Sequence, residues 1–207
     1  AKALAVKLSG ERKTAGEALA LRIQEELAQL DMPKVRFQVE FAEVDNENGL
    51  NSDGMDSVRF LMSANVGEAL KPIQKIASGG ELARIMLCLK NVLAEGDEVG
   101  TLVFDEVDTG VSGRAAQKVA EKLAQVSRRK QVLCVTHLPQ LAAMADTHFS
   151  VEKGEREGRT YTQVVRLDRE RRKEELARLT GGQRVTSALL AGAEELLDAA
   201  AEYRAGL

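Results

Sequence analysis

The sequence predicts an α/β fold in which a mostly parallel sheet is flanked by helices. From residue 76 onward, short apolar segments alternate with stretches of helical periodicity. This arrangement is typical of parallel strands joined by crossover helices. Earlier in the chain, apolar and polar residues alternate along 35–41 and 58–62, which indicates two paired strands with one buried face. A long helical stretch at 1–30 precedes both, so we expect an N-terminal helix and a β-hairpin before the α/β part.

The composition argues against several classes of protein. Hydrophobic residues make up 44% of the 207 residues and charged residues 29%, as in a soluble, core-forming chain. Aromatic residues are only 3%, which argues against single-strand binding by base stacking, and the net charge of −3 gives no global basic field. Cys88 and Cys134 are too few for a disulfide scaffold, and no apolar run approaches the ~20 residues that span a bilayer. We therefore expect a cytoplasmic chain without a membrane partner.

The predicted N-terminal helix carries an apolar stripe at helical spacing. The stripe consists of Leu4, Leu8, Ala15, Leu19, Ile23, Leu27 and Leu30. Such a stripe is typical both of a helix packed on a domain surface and of the returning end of a longer coiled coil. Pro33 ends the helix, because proline lacks an N–H group and restricts the residue before it.

The remaining elements follow from the same periodicity and from turn signals. Helices are predicted at 81–94, 113–127, 138–145, 169–179 and 186–204. Strands are predicted at 101–105, 131–135, 147–152 and 160–167. Basic residues cluster at 128–130 and 169–173, where solvated helix faces are favoured over DNA contacts.

Two carboxylates follow the first apolar strand of the α/β part. The strand 101–104 runs directly into Asp105 and Glu106, and ligands of open α/β sheets bind at the carboxyl ends of the strands. An acidic pair there suits nucleotide hydrolysis, because Asp105 can hold Mg²⁺ through its water shell while Glu106 polarises an attacking water. The alternative is a strand that runs into an ordinary polar loop.

The segment Ser78-Gly79-Gly80-Glu81 opens an apolar helix. Ser78 and Glu81 have the spacing of a capping box, which satisfies the free N–H groups at a helix start. The two glycines add what a cap does not require, since without Cβ atoms they let a phosphate approach the positive end of the helix dipole. Capping and phosphate binding both remain open on this motif alone.

A histidine, His137, ends the second apolar strand of the α/β part. One helix separates it from the acidic strand, so the carboxyl ends of both strands can converge on one crevice. There His137 could donate a hydrogen bond to a terminal phosphate, although a structural role is commoner for a lone histidine. Between the strands, Asp108, Gly110 and Gly113 predict a tight loop, for which turn chemistry is the simpler explanation.

These four features, in this order, resemble the C-terminal lobe of an ABC-type ATPase head. Residues 78–81 look like the signature motif, and 102–106 look like Walker B. Residues 107–110 look like the D-loop, and His137 looks like the switch histidine. Each motif is weak alone, whereas the ordered set is specific.

The longer strings 63–82 and 104–113 are similar to the RecN family, bacterial SMC-like ATPases of DNA double-strand-break repair. The resemblance is strongest over 63–182. It implies that 1–31 is the end of a coiled-coil arm and that 32–207 is the C-terminal lobe of an SMC-type head. It also implies ATP and Mg²⁺ as cofactors, double-stranded DNA as a partner of the full-length protein and a nucleoid-associated location.

The resemblance also assigns roles to individual residues. Asp105 would help to place Mg²⁺ through bound water, Glu106 would activate the attacking water, and His137 would contact the γ-phosphate. Ser78, Gly79, Gly80 and Glu81 would reach the nucleotide held by a second head, and Asp108 with its loop would line the interface between the two heads. These roles are implied by the resemblance to the family and do not follow from the composition of the chain.

The P-loop pattern Gly-x-x-x-x-Gly-Lys-Ser/Thr does not occur in the sequence. In RecN-like proteins that motif lies in an N-terminal lobe, so the sequence predicts half of a head that is inactive alone. Two other functions compete with this one. A transporter nucleotide-binding lobe is disfavoured by the hairpin before the signature, and a non-catalytic DNA-bridging module remains the structural alternative.

Overall fold

The computed structural model describes residues 1–63, 67–75, 79–94, 96, 98–156, 159–182 and 184–207. The chain divides into two compact units, Ala1–Glu98 and Val99–Leu207, and each is described by itself. Within the described residues, no helix is both long and apolar enough to cross a membrane.

The first unit contains a long helix, a small antiparallel sheet and a second helix. Its elements are α1 (Lys2–Gln29), β1 (Arg36–Glu43), β2 (Asp56–Ser63), β3 (Lys71–Pro72), a 3₁₀ turn (Ile73–Lys75) and α2 (Gly79–Val92). The strands pair in the order β1-β2-β3, and all of these pairs are antiparallel. The predicted hairpin is therefore confirmed, whereas β3 was not predicted.

Helix α1 buries one stripe along its length against the rest of the unit. The buried positions are Ala5, Ser9, Gly16, Ile23 and Leu27. Ser9 donates a hydrogen bond of 2.7 Å to Asp56. A Cβ at Gly16 would lie 2.9 Å from the ring of Phe41, so glycine permits the close approach of helix and hairpin.

The second unit is built around a parallel pair of strands. Its elements are β4 (Thr101–Phe104), α3 (Gly113–Ser127), β5 (Gln131–Cys134), α4 (Pro139–Met144), β6 (Phe149–Arg156), β7 (Arg159–Arg166), α5 (Arg169–Gly181) and α6 (Ser187–Ala205). Strand β4 pairs with β5 in parallel through the crossover helix α3, and β6 pairs with β7 as an antiparallel hairpin. The predicted α/β class is confirmed. Among the described strands, β4 and β5 form the parallel pair.

The two faces of the β4–β5 pair differ in burial. Leu102 and Phe104 are buried, as a strand packed on a core requires. On the opposite face, Val103 is 68% exposed, Leu133 49% and Val135 64%. The helices of the described residues therefore leave one apolar face of this pair uncovered.

Ion pairs at the surface connect the last two helices. Asp168 caps α5 and Thr186 caps α6, each by accepting a backbone N–H bond with its side chain. Arg169 pairs with Glu194 and Asp198, and Lys173 pairs with Glu170 and Glu194. The basic cluster at 169–173 is thus largely neutralised within the unit, in agreement with its interpretation as a helix face.

Candidate functional site

The acidic pair lies where β4 ends, with both side chains exposed. Asp105 follows directly after Phe104, and its Oδ1 accepts a hydrogen bond of 2.9 Å from the backbone N–H of Glu106. Glu106 has a φ of 58°, in the left-handed region that residues with a Cβ rarely adopt. Strained backbone of this kind persists only where the surrounding structure enforces it, and such positions are concentrated at functional sites.

The loop after Glu106 is held by local hydrogen bonds and one buried side chain. The N–H of Thr109 donates to the carbonyl of Glu106 at 3.0 Å, which closes a tight turn. Val107 within that turn is fully buried. Gly110, with a φ of 76°, adopts the left-handed conformation that glycine tolerates. The loop therefore fixes the backbone from which the Glu106 side chain projects.

Asp108 joins the ends of the two parallel strands. Its carboxylate is only 4% exposed, and its Oδ2 accepts hydrogen bonds from Thr136 Oγ1 at 2.6 Å and from the backbone N–H of His137 at 3.1 Å. The Nδ1 atom of His137 lies 3.2 Å from the same oxygen, while 73% of the His137 side chain is exposed. Asp108 thus orients an imidazole that remains open to a ligand.

Thr136 was missed by the sequence reasoning. Its hydroxyl donates to Asp108 and accepts the backbone N–H of Leu138 at 3.0 Å, so it connects the loop after β4 with the turn after β5. The signal for it was weak: a threonine directly before a strand-terminal histidine, whose partner lies 28 residues earlier in the chain.

Cys134 lies on β5 near this cluster, and its thiol is held in the protonated form. Burial, together with the negative charges of Asp108 and Asp105, raises the pKa of Cys134 to about 12. A thiol in such surroundings is a packing residue and a poor nucleophile, because the thiolate is the reactive species.

We expect Cys134 to resist alkylation in the folded chain. At pH 8, iodoacetamide should modify it at least about 100-fold more slowly than in the chain unfolded by guanidinium chloride, because very little thiolate is present. Mass spectrometry of the Cys134 and Cys88 peptides measures their alkylation rates in the folded and in the unfolded chain. Equal rates for Cys134 in the folded and unfolded chain would contradict the assignment.

The signature-like residues belong to the first unit. Gly79 and Gly80 form the start of α2, with Gly80 buried and Glu81 in the first turn. Ser78 lies outside the described residues, so the predicted capping box is not described. Arg84, one turn further, is buried, and this burial lowers its pKa while the charge of Glu81 acts in the opposite direction.

The site residues fit a Mg²⁺ ion only as part of a larger ligand set. No group of three or more His, Cys, Asp or Glu side chains in the described ranges could hold a metal ion. Asp105 presents one exposed carboxylate at the end of β4, and Mg²⁺ is commonly bound by one or two carboxylates together with substrate phosphates and water. The donor set therefore agrees with an ion that arrives with a nucleotide.

Comparison with known proteins gives relatives along almost the whole chain. No protein-family profile matches it. The DNA repair protein RecN of Halalkalibacterium halodurans is 45% identical over 198 residues, which cover 95% of this chain and 35% of the relative. RecN of Bacillus subtilis is 44% identical, covering 97% of this chain and 37% of the relative. The chain therefore spans about a third of the length of these relatives.

Solved structures show the same fold. A crystal structure of the Smc head domain with a coiled coil and joint, derived from Pyrococcus yayanosii, matches with a TM-score of 0.56 and 24% identity over 79% of this chain and 29% of that chain. A structure from work on ATP-driven dimerisation and DNA-stimulated activation of SMC ATPases matches with a TM-score of 0.50 and 22% identity over 84% of this chain and 99% of that chain. The fold is thus that of the C-terminal lobe of an SMC-type head, and the sequence of the chain is similar to that of RecN proteins over about a third of their length.

Proposed function

We propose that this chain is the C-terminal half of an SMC-like ATPase head that hydrolyses ATP together with an N-terminal P-loop lobe and a second head. ATP-dependent closure of the heads would be coupled to DNA tethering in recombinational double-strand-break repair, in the cytoplasm. The observation that carries the proposal is the cluster at the ends of β4 and β5, where Asp108, in the loop that follows the acidic pair, bonds to Thr136 and His137. The name of its relatives, DNA repair protein RecN, supports the biological setting.

The chain's own residues would divide the chemistry at the γ-phosphate. Asp105 would hold Mg²⁺ through bound water, and the ion would neutralise charge on the phosphates. Glu106 would orient and deprotonate the attacking water, because its exposed carboxylate projects from a backbone fixed at the end of β4. His137, oriented by Asp108, would donate a hydrogen bond to the γ-phosphate.

The signature-like residues would serve a nucleotide held by a second copy of the head. Ser78, Gly79, Gly80 and Glu81 would offer backbone donors at the positive end of α2, which attracts an external phosphate. The loop that contains Asp108 would line the interface between the heads. The chain would then contribute to two nucleotide sites in a homodimer, and the helix 1–31 would continue into a coiled-coil arm.

The uncovered face of the β4–β5 pair supports a missing N-terminal lobe. Val103, Leu133 and Val135 form a contiguous apolar surface on adjacent parallel strands. Within the described residues, β5 has a strand partner on one edge only. Parallel strands are normally covered on both faces, so a lobe that supplies the P-loop would bury this surface and complete the sheet.

ATP turnover tests the proposal. We expect no turnover from this chain alone and turnover when the N-terminal P-loop lobe is added. Val103→Lys should abolish this gain, because a charge on the apolar face opposes docking, while the free energy of unfolding of the chain changes by no more than about 0.5 kcal/mol at an exposed position.

Val185→Lys provides the matched control, since Val185 is exposed outside the sheet. It should leave both lobe binding and turnover unchanged. No turnover from a folded mixture that binds nucleotide would contradict the proposal and favour a non-catalytic bridging module. Lobe binding that survives Val103→Lys would show that the lobe docks elsewhere.

A further inference from the structure

The short helix α4 connects the histidine to the C-terminal helices. It begins two residues after His137 and has only six residues, of which Leu141–Met144 are buried. Its apolar residues pack against α3, α5 and α6, which hold α4 in place next to the turn that carries His137.

Two arginines bind the C-terminal end of α4. Arg172 of α5 donates through Nη2 to the carbonyls of Ala143 and Ala145 at 3.0 and 2.7 Å, and to that of Ala142 at 3.3 Å. Arg204 of α6 donates through Nη1 to the carbonyl of Met144 at 2.8 Å and to those of Ala143 and Ala145 at 3.3 Å each. Both guanidinium groups therefore converge on the same turn of backbone.

This arrangement has a clear electrostatic basis. The last carbonyls of a helix lack intrahelical partners and form the negative end of its dipole, so cations there are favourable. Burial lowers the pKa of Arg172, and the nearby charge of Arg204 lowers it further. Two half-buried cations this close to each other are tolerated because they share these carbonyls and because Asp146 lies 3.3 Å from Arg204.

The other end of α4 is bonded to the site. The N–H of Leu138 donates to Thr136 Oγ1, and the Thr136 hydroxyl donates to Asp108, the acceptor that also orients His137. A continuous set of hydrogen bonds and packed backbone thus runs from the two arginines through α4 to the imidazole.

We propose that Arg172 and Arg204 are positioning residues for His137, which they hold through α4, so that the C-terminal helix pair α5–α6 sets the geometry of the γ-phosphate contact. The inference rests on the proposed ATPase function, although its mechanical part concerns this chain alone. Neither arginine is assigned a contact with nucleotide.

Hydrogen exchange on this chain tests the mechanical part. Arg172→Ala and Arg204→Ala, made singly so that the other arginine still caps α4, should each raise amide exchange at His137 and Leu138 by about tenfold, because each variant loses hydrogen bonds that hold the end of α4. Exchange at Leu133 in β5 should stay within about twofold of the unmodified chain. Arg169→Ala is the matched control, because it breaks ion pairs between α5 and α6 but does not contact α4.

Turnover by the assembled head tests the functional part. Both arginine variants should lower kcat by about tenfold with an unchanged KM for ATP, because a misplaced contact weakens the transition state and leaves nucleotide binding intact. Arg169→Ala should leave kcat unchanged. Unaltered exchange at His137 and Leu138, or unaltered kcat, would overturn the inference.

The failure of the proposed function gives a different result. In that case the assembled head with the unmodified chain has no turnover, and the exchange measurement alone decides whether the arginines hold the His137 turn. A rise in exchange at Leu133 as large as that at His137 would show general destabilisation and would also overturn the inference.

Discussion

Replacing Glu106 by Gln should lower ATP turnover of the assembled head by at least about 100-fold, the contribution typical of a positioned general base. Gln keeps the shape of the side chain but cannot accept the proton of the attacking water. ATP binding should persist, because the other residues assigned to the phosphates are unchanged. Steady-state turnover together with equilibrium binding of ATP measures the two effects separately.

Glu195→Gln is the matched control for this substitution. It makes the same change of charge at an exposed position of α6, and we expect wild-type turnover from it. Glu106→Gln should not alter the free energy of unfolding, since Glu and Gln have the same backbone restriction at a φ of 58°. Turnover within about threefold of wild type for Glu106→Gln would remove Glu106 from the catalytic role.

Replacing Asp108 by Ala should both destabilise the second unit and slow turnover. The hydroxyl of Thr136 and the backbone N–H of His137, both in part-buried bonds, would lose their acceptor, and each such loss costs about 1–3 kcal/mol. We expect the free energy of unfolding to fall by about 2–3 kcal/mol in urea denaturation. Turnover should fall as well, because the imidazole of His137 would no longer be oriented.

A double-mutant cycle separates the Asp108–Thr136 bond from other consequences. Asp108→Ala combined with Thr136→Val should show a coupling energy of about 1–2 kcal/mol, as contacting residues in one network do. Asp108→Ala combined with Thr180→Val is the control, since Thr180 bonds within α5, and that pair should be additive within about 0.5 kcal/mol. Additivity of the Asp108–Thr136 pair would contradict the role assigned to this bond.

Local patterns predicted the elements of the fold well. Helix α3 begins and ends where the periodicity and the preceding glycine loop predicted, and the β1–β2 hairpin follows its alternation of apolar residues. Strand β3 was not predicted, because Lys71–Pro72 is too short to show an alternation of apolar and polar residues and contains a proline. It pairs only because the neighbouring strand β2 presents a free edge to it.

The candidate site was predictable only in part. Asp105, Glu106 and His137 are marked by their place after apolar strands, a signal that lies within a few residues. The bond between Asp108 and Thr136 joins positions 28 residues apart, and the convergence of two arginines on α4 joins positions up to 61 residues apart. Such pairings depend on how helices and strands pack, which no local periodicity encodes.

At the positive φ of Glu106, the stability of the fold and the proposed catalysis favour different residues. Glycine would occupy that conformation without strain, so a chain selected for stability alone would replace the carboxylate there. Glycine, the residue that suits this backbone best, has no side chain with which to activate a water molecule. Under the proposed function, retention of glutamate at position 106 would be a direct sign of selection for hydrolysis, and its drift to glycine in a relative would indicate a head that had kept its architecture after giving up turnover.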